Sequence, residues 1–214
     1  MDEEQLRNVI RKIIDEELNG MPSIPIGVSN HHVHLTDEDF NKLFPGQTMT
    51  VFKQLKQPSD FASEQKVTLV GANGAEIPNV RILGPTRSHS QVEISKSETF
   101  TLGIDAPIRL SGDLEGAPSI KIKSEFAEIT VQGVIIAKRH IHMSMDDAAK
   151  FGVKYGDIVK VEVQSKDRKI VFDDVVARPR EDFVLEMHID TDEAGAANVQ
   201  GDTVATMVTD QEEN

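Results

Sequence analysis

The chain has 214 residues, with 36 acidic against 23 basic side chains for a formal net charge of −13, and it contains no cysteine. A chain of this length can bury roughly 70% of its extended surface, enough for one large or two small domains without disulfide staples. The charge speaks against nucleic acid and against an anionic membrane as partners, and the absence of thiols leaves imidazole, carboxylate and solvent to hold any metal.

From the N-terminus, residues Asp2 to Leu18 place Leu6, Val9, Ile10, Ile13, Ile14 and Leu18 at helical spacing, which predicts an amphipathic helix. The pairs Glu3/Arg7, Arg11/Asp15 and Lys12/Glu16 support it at about 0.2–0.5 kcal/mol each. NGMPSIP at residues 19–25 then stops it with Gly20 and two prolines. A helix of this length is marginal alone, so its stripe must dock, either on its own domain or as a tethered peptide on a partner. The acidic opening MDEEQ is unlike a secretory signal, and no apolar run reaches the ~20 residues of a membrane span, so a cytosolic protein is expected.

VSNHHVHLTDEDF, residues 28–40, carries His32-Val33-His34. On a strand, positions i and i+2 share a face, so both imidazoles project together while Val33 and Leu35 turn to the apolar side. A short helix over Asp37 to Leu43 should follow. Beyond residue 60 come short alternating runs broken by Gly, Pro and Asn, among them KVTLVGANG, AEIPNVRILGP, SIKIKS and AEITVQGVIIA. They predict a mainly β chain of many short strands, as in barrels or sandwiches.

Within that region, ILGPTRSHSQVE turns at Gly84-Pro85 just before Arg87, whose guanidinium fork suits phosphate or carboxylate oxygens. Glu93 interrupts an apolar alternation in SQVEIS, and PIRLSG adds Arg109 and Ser111. Each of these alone reads more readily as solvated surface. IAKRHIHMSMDDA, residues 136–148, then supplies a second His-x-His, His140 and His142, with a helix expected over Met145 to Phe151. His188 follows in LEMHIDTDEAGAAN.

Adding 108 to the first motif pairs His32 with His140, His34 with His142, Thr36 with Ser144 and Asp39 with Asp147. Both copies therefore read strand, His-x-His, hydroxyl cap and an acid three positions on, which suggests two related units. Each imidazole pair needs a third ligand for a site with an open position, and Glu93 and His188 are the candidates. A metal hydrolase using activated water and a non-enzymatic metal-tied scaffold remain open readings of such residues.

The ordered segments SNHHVHL, TLVGANG, VRILGPTRSHSQVEIS, LGIDAPIRLSGDL, GVIIAKRHIHM and LEMHIDTDEA resemble the PduL-type phosphotransacylases, or phosphate propanoyltransferases, of bacterial microcompartments. The resemblance covers nearly the whole chain. It implies two small β-barrels with short capping helices: residues 21–30 with 139–208 in one, 31–138 in the other, and an acidic tail at 209–214. It implies exchange of acyl-CoA (propanoyl or acetyl) and inorganic phosphate with acyl phosphate and free CoA at a two-zinc site between the barrels. By motif position His32, His34 and Glu93 would hold one zinc and His140, His142 and His188 the other; Arg87 would receive phosphate. Ser111 and Arg139 match further active-site positions, and Phe100 an aromatic position that stacks on the CoA adenine. The resemblance also implies a homodimer in the microcompartment lumen, with residues 1–20 docking on shell or core proteins. His31 departs from the family's usual arginine, PSDFA replaces PGQFA and DEAGAAN replaces DEANA.

Overall fold

The computed structural model describes residues 22–201 and 203–208. The helix expected over residues 2–18 and the acidic tail lie outside the described residues. Of the described chain, residues up to Ser29 group with those from Arg139 onward in one compact unit, and Asn30–Lys138 form the other.

The chain opens with β1 (Ile24–Ser29) and enters the Asn30–Lys138 unit through β2 (His32–His34) and helix α1 (Asp37–Leu43). There follow β3 (Val51–Gln54), β4 (Phe61–Val70), β5 (Glu76–Gly84), β6 (Gln91–Glu93), helix α2 (Lys96–Leu102), β7 (Ile108–Arg109), β8 (Ser119–Lys123), β9 (Glu128–Gln132) and β10 (Val134–Ala137). They form one sheet in the order β7-β10-β6-β2-β5-β4-β8-β9, with β3 added against β4. This sheet forms a half-barrel, the second of the two small barrels expected. The end strand β7 has two residues, too few ladder bonds to seal against β9, although the chain itself passes from β9 to β10 through Gly133 alone.

The remaining elements are β11 (His140–Met143), helix α3 (Met145–Phe151), β12 (Ile158–Gln164), β13 (Lys169–Pro179), β14 (Glu186–Asp190), helix α4 (Thr191–Ala197) and β15 (Val204–Val208). With β1 they close a barrel in the order β1-β14-β11-β13-β12-β15, sealed where Ile24 and Pro25 face Ala205 and Val204.

Alternation builds both cores. Val33, Leu35, Ile82 and Val92 are fully buried on the face of the open sheet away from the histidines, and Ile141, Met143, Met187 and Ile189 fill the barrel in the same way. Each such side chain contributes about 1.5–3 kcal/mol of transfer free energy. The described helices have seven residues each, too short to persist alone, and their N-termini are capped by side chains. Ser144 and Asp147 form the expected capping box on α3. In the first copy Thr36 Oγ1 accepts from Asp39 N, but Asp39 does not answer it: its carboxylate accepts from Ser90 Oγ at 2.6 Å, and Thr36 N donates to that same hydroxyl at 3.1 Å.

Gly84 closes β5 beside β2, and the Phe61 ring lies where a Cβ would stand, 2.2 Å from Phe61 Cζ. Gly84→Ala must therefore push the ring or the strand aside. Overpacking of this kind is expected to cost about 1–3 kcal/mol, read as a lowered urea midpoint at unchanged slope. A midpoint equal to wild type would contradict the packing.

Candidate functional site

In the open sheet, β2 lies antiparallel to β6 in a register that sets His32 opposite Glu93, Val33 opposite Val92 and His34 opposite Gln91. Residues paired across a ladder share a face, so the two imidazoles and the carboxylate project together while both valines enter the core. His32 Nε2 is 3.3 Å from Glu93 Oε2, and the two imidazole rings meet edge to face with centroids 5.0 Å apart. Ligand atoms of His32, His34 and Glu93 all lie within 4.8 Å of one another, the one such group of acids and histidines among the described residues.

The other ring nitrogens face backbone. His32 Nδ1 is 2.8 Å from the Asn30 carbonyl and His34 Nδ1 is 3.2 Å from that of Leu83. A carbonyl can only accept, so Nδ1 carries the proton of each neutral ring and the Nε2 lone pairs are available as ligands. Burial pushes the His32 imidazole down, but the charge and hydrogen bond of Glu93 outweigh it and the net shift is upward. Burial, the neighbouring His32 and the Arg87 guanidinium hold His34 well below its ordinary range.

A polar network runs on from this group. Gln91 Nε2 donates to Glu93 Oε1 at 2.6 Å and to Ser111 Oγ at 2.9 Å, and Arg87 Nη1 donates to the same Ser111 hydroxyl at 3.0 Å. Arg87 is positioned by its own backbone, whose N–H donates to Leu35 O at 2.8 Å, and Asp60 stands 3.9 Å from its guanidinium. The expected anion-binding arginine and serine are thus joined to the expected ligand Glu93 through a side chain that sequence reasoning passed over.

The barrel repeats the arrangement. β11 lies antiparallel to β14 with His140 opposite His188 and His142 opposite Glu186, so His188 occupies the position that Glu93 holds in the other unit. Ring centroids of His140, His142 and His188 are 4.6–5.1 Å apart. His142 Nδ1 and His188 Nε2 are buried without a hydrogen-bond partner. Glu186 Oε2 approaches His188 Nε2 at 3.1 Å, but off the line a hydrogen bond needs. Phe183 stacks on His142 at 4.0 Å, and the Arg180 guanidinium lies 3.7 Å over Phe183.

Other expected residues are placed as follows. Arg139 pairs with Glu193 at 2.8 Å and with Asp174 at 2.9 Å. Phe100 is 74% exposed on α2, beneath the Lys96 ammonium. His31 Nδ1 is 2.5 Å from Glu98 Oε1, and Glu98 also accepts from Ser95 N at the start of α2. Gln91 and Glu186 were the residues missed. Each precedes a suspected ligand by two positions on a strand, the same-face spacing that singled out the His-x-His pairs.

A family model described as phosphate propanoyltransferase matches residues 25–200. The chain is 67% identical over 201 residues to the phosphate propanoyltransferase of Limosilactobacillus reuteri, covering 93% of this chain and 92% of that one. It is 64% identical over 208 residues to the namesake of Levilactobacillus brevis, covering 97% and 99%. To that of Salmonella typhimurium it is 52% identical over 198 residues, covering 92% and 93%.

Burial, the neighbouring His140 and His188, and the Arg178 and Arg180 guanidiniums lower His142 from its ordinary 6.5 to about 2. The unfolded chain takes up a proton below pH 6.5 that the folded ring refuses until about pH 2, so this contribution is complete above 6.5 and is lost as pH falls. In chelator-treated protein the denaturation midpoint should therefore decline from about pH 7 downward, and decline less steeply in His142→Gln. Parallel curves would contradict the assignment.

Proposed function

We propose, because this chain belongs to the phosphate propanoyltransferase family, that it transfers an acyl group between coenzyme A and inorganic phosphate, interconverting propanoyl-CoA or acetyl-CoA plus phosphate with acyl phosphate plus CoA. The chain is an acyltransferase enzyme by that membership. The observation that carries the reading is the hydrogen-bonded line from Arg87 through Ser111 and Gln91 to Glu93, whose other oxygen lies 3.3 Å from His32 Nε2, which ties an anion-binding fork to a metal-ligating group.

Both groups of three side chains suit a divalent metal. In the open sheet, carbonyls hold Nδ1 of His32 and His34, so both Nε2 atoms are available beside a carboxylate. In the barrel, the buried ring nitrogens His142 Nδ1 and His188 Nε2 make no hydrogen bond, and a cation would supply the missing contact. On this reading His32, His34 and Glu93 hold one zinc and His140, His142 and His188 the second; an imidazole and carboxylate set admits cobalt or manganese as well. Bound zinc supplies a Lewis acid and a template for the charge that develops on oxygen.

The protein's own groups do the rest. Arg87 presents its guanidinium to phosphate, with Nη1 braced on Ser111. With no cysteine in the chain, attack by a phosphate oxygen on the thioester carbonyl is the simplest course: a C–O bond forms, the C–S bond breaks, and CoA leaves as thiolate. The exposed Phe100 ring can stack on the CoA base. Arg139, held by Asp174 and Glu193, is assigned to the same chemistry by motif position. The apolar stripe of residues 2–18 supports a docking helix for microcompartment shell or core proteins in the lumen, and a homodimer is proposed on the family resemblance.

Metal analysis joined to a free-CoA release assay tests this. Wild type should carry zinc and release CoA from propanoyl-CoA or acetyl-CoA only with phosphate present, and His142→Ala should lose metal and at least ~100-fold in kcat/KM. Release without phosphate would instead indicate a thioester hydrolase, and metal binding with no turnover a scaffold.

A further inference from the structure

Gln91 is 2% exposed and has every polar atom of its amide engaged. Gly112 N donates to its Oε1 at 2.8 Å, so the amide cannot be reversed: the flipped form would set its NH2 against an N–H and its oxygen against the Glu93 carboxylate. Its two hydrogens accordingly reach Glu93 Oε1 at 2.6 Å and Ser111 Oγ at 2.9 Å.

We infer that Gln91 is a positioning residue that orients the Glu93 carboxylate toward His32 and the Ser111 hydroxyl toward an anion held at Arg87, an inference that rests on the acyl transfer proposed above. Binding Oε1 fixes the carboxylate's rotation, which leaves Oε2 as the oxygen 3.3 Å from His32 Nε2. Ser111 Oγ accepts from both Gln91 Nε2 and Arg87 Nη1, so both of its lone pairs are in use. A hydroxyl in that state has one capacity left, to donate its proton away from the two donors. The natural acceptor is an oxygen of inorganic phosphate or of an acyl phosphate lying against the same guanidinium. One amide thus sets the metal-ligating carboxylate and the anion-binding hydroxyl, and Gly112 N holds the amide.

The test compares full-length wild type, Gln91→Met, Gln91→Asn, Ser111→Ala and the Gln91→Met/Ser111→Ala double variant. Zinc affinity is read by competition with a chelating dye, and KM for inorganic phosphate separately from kcat. Gln91→Met keeps the side-chain length without the amide; Gln91→Asn keeps the amide one methylene short and serves if the first does not fold. Losing a residue that orients a metal ligand typically costs about 10–100-fold in affinity, so one zinc equivalent should weaken by that factor while the other holds. KM for phosphate should rise in both Gln91 variants and in Ser111→Ala, zinc affinity should stay unchanged in Ser111→Ala, and the double variant should raise KM no further than Gln91→Met alone. Variants that lose only thermal stability, with zinc affinity and KM of the folded protein unchanged, would overturn the inference while leaving the acyl transfer standing. A wild type without zinc, or with CoA release indifferent to phosphate, would overturn both.

Discussion

The register of two short strand pairs decides which polar side chains gather on one face of each sheet. Opposite His32 stands Glu93, and opposite His140 stands His188, each across an antiparallel ladder. A slip of one residue in either pair would send the third group to the apolar face and a valine or methionine into its place. The same slip would bring Val92 or Met187, both fully buried, out of the core, so core packing and site assembly enforce a single alignment. The site depends on the fold's strongest preference.

Rigidity comes from the backbone around these strands. Carbonyls of Asn30 and Leu83 fix the His32 and His34 rings, and β2, β6, β11 and β14 each run directly into a capped seven-residue helix. The caps hold the strand ends where they leave the sheet. The second imidazole of each pair is lowered in the same way, His34 by burial, His32 and Arg87, and His142 by burial, His140, His188 and the guanidiniums of Arg178 and Arg180, while Glu93 raises His32 against the pull of burial.

Much of this was legible in the sequence because strand geometry is local. Period-two alternation put His32 with His34 and His140 with His142 before any contact was known, and the hydroxyl-to-acid spacing located α1 and α3. The helices α2 and α4 carried the same signal in Ser95…Glu98 and Asp190…Glu193 but lay in stretches read for ligands instead. Cross-strand pairing is not local, so Glu93 and His188 stood out by residue type while their partners did not. Gln91 was hidden for a further reason. Its importance lies in reaching Gly112 and Ser111, some 20 residues away, and a neutral amide gives no compositional alarm. The open edge at β7 likewise reflects strand length and pairing, which alternation does not encode.

The account stands on metal held by the three side chains that each strand pair brings together, and anomalous diffraction from crystals of the full chain, collected on either side of the zinc absorption edge, tests that directly. The account predicts one peak in contact with His32, His34 and Glu93 and a second with His140, His142 and His188. Crystals of active protein showing no anomalous peak at either triad would contradict it.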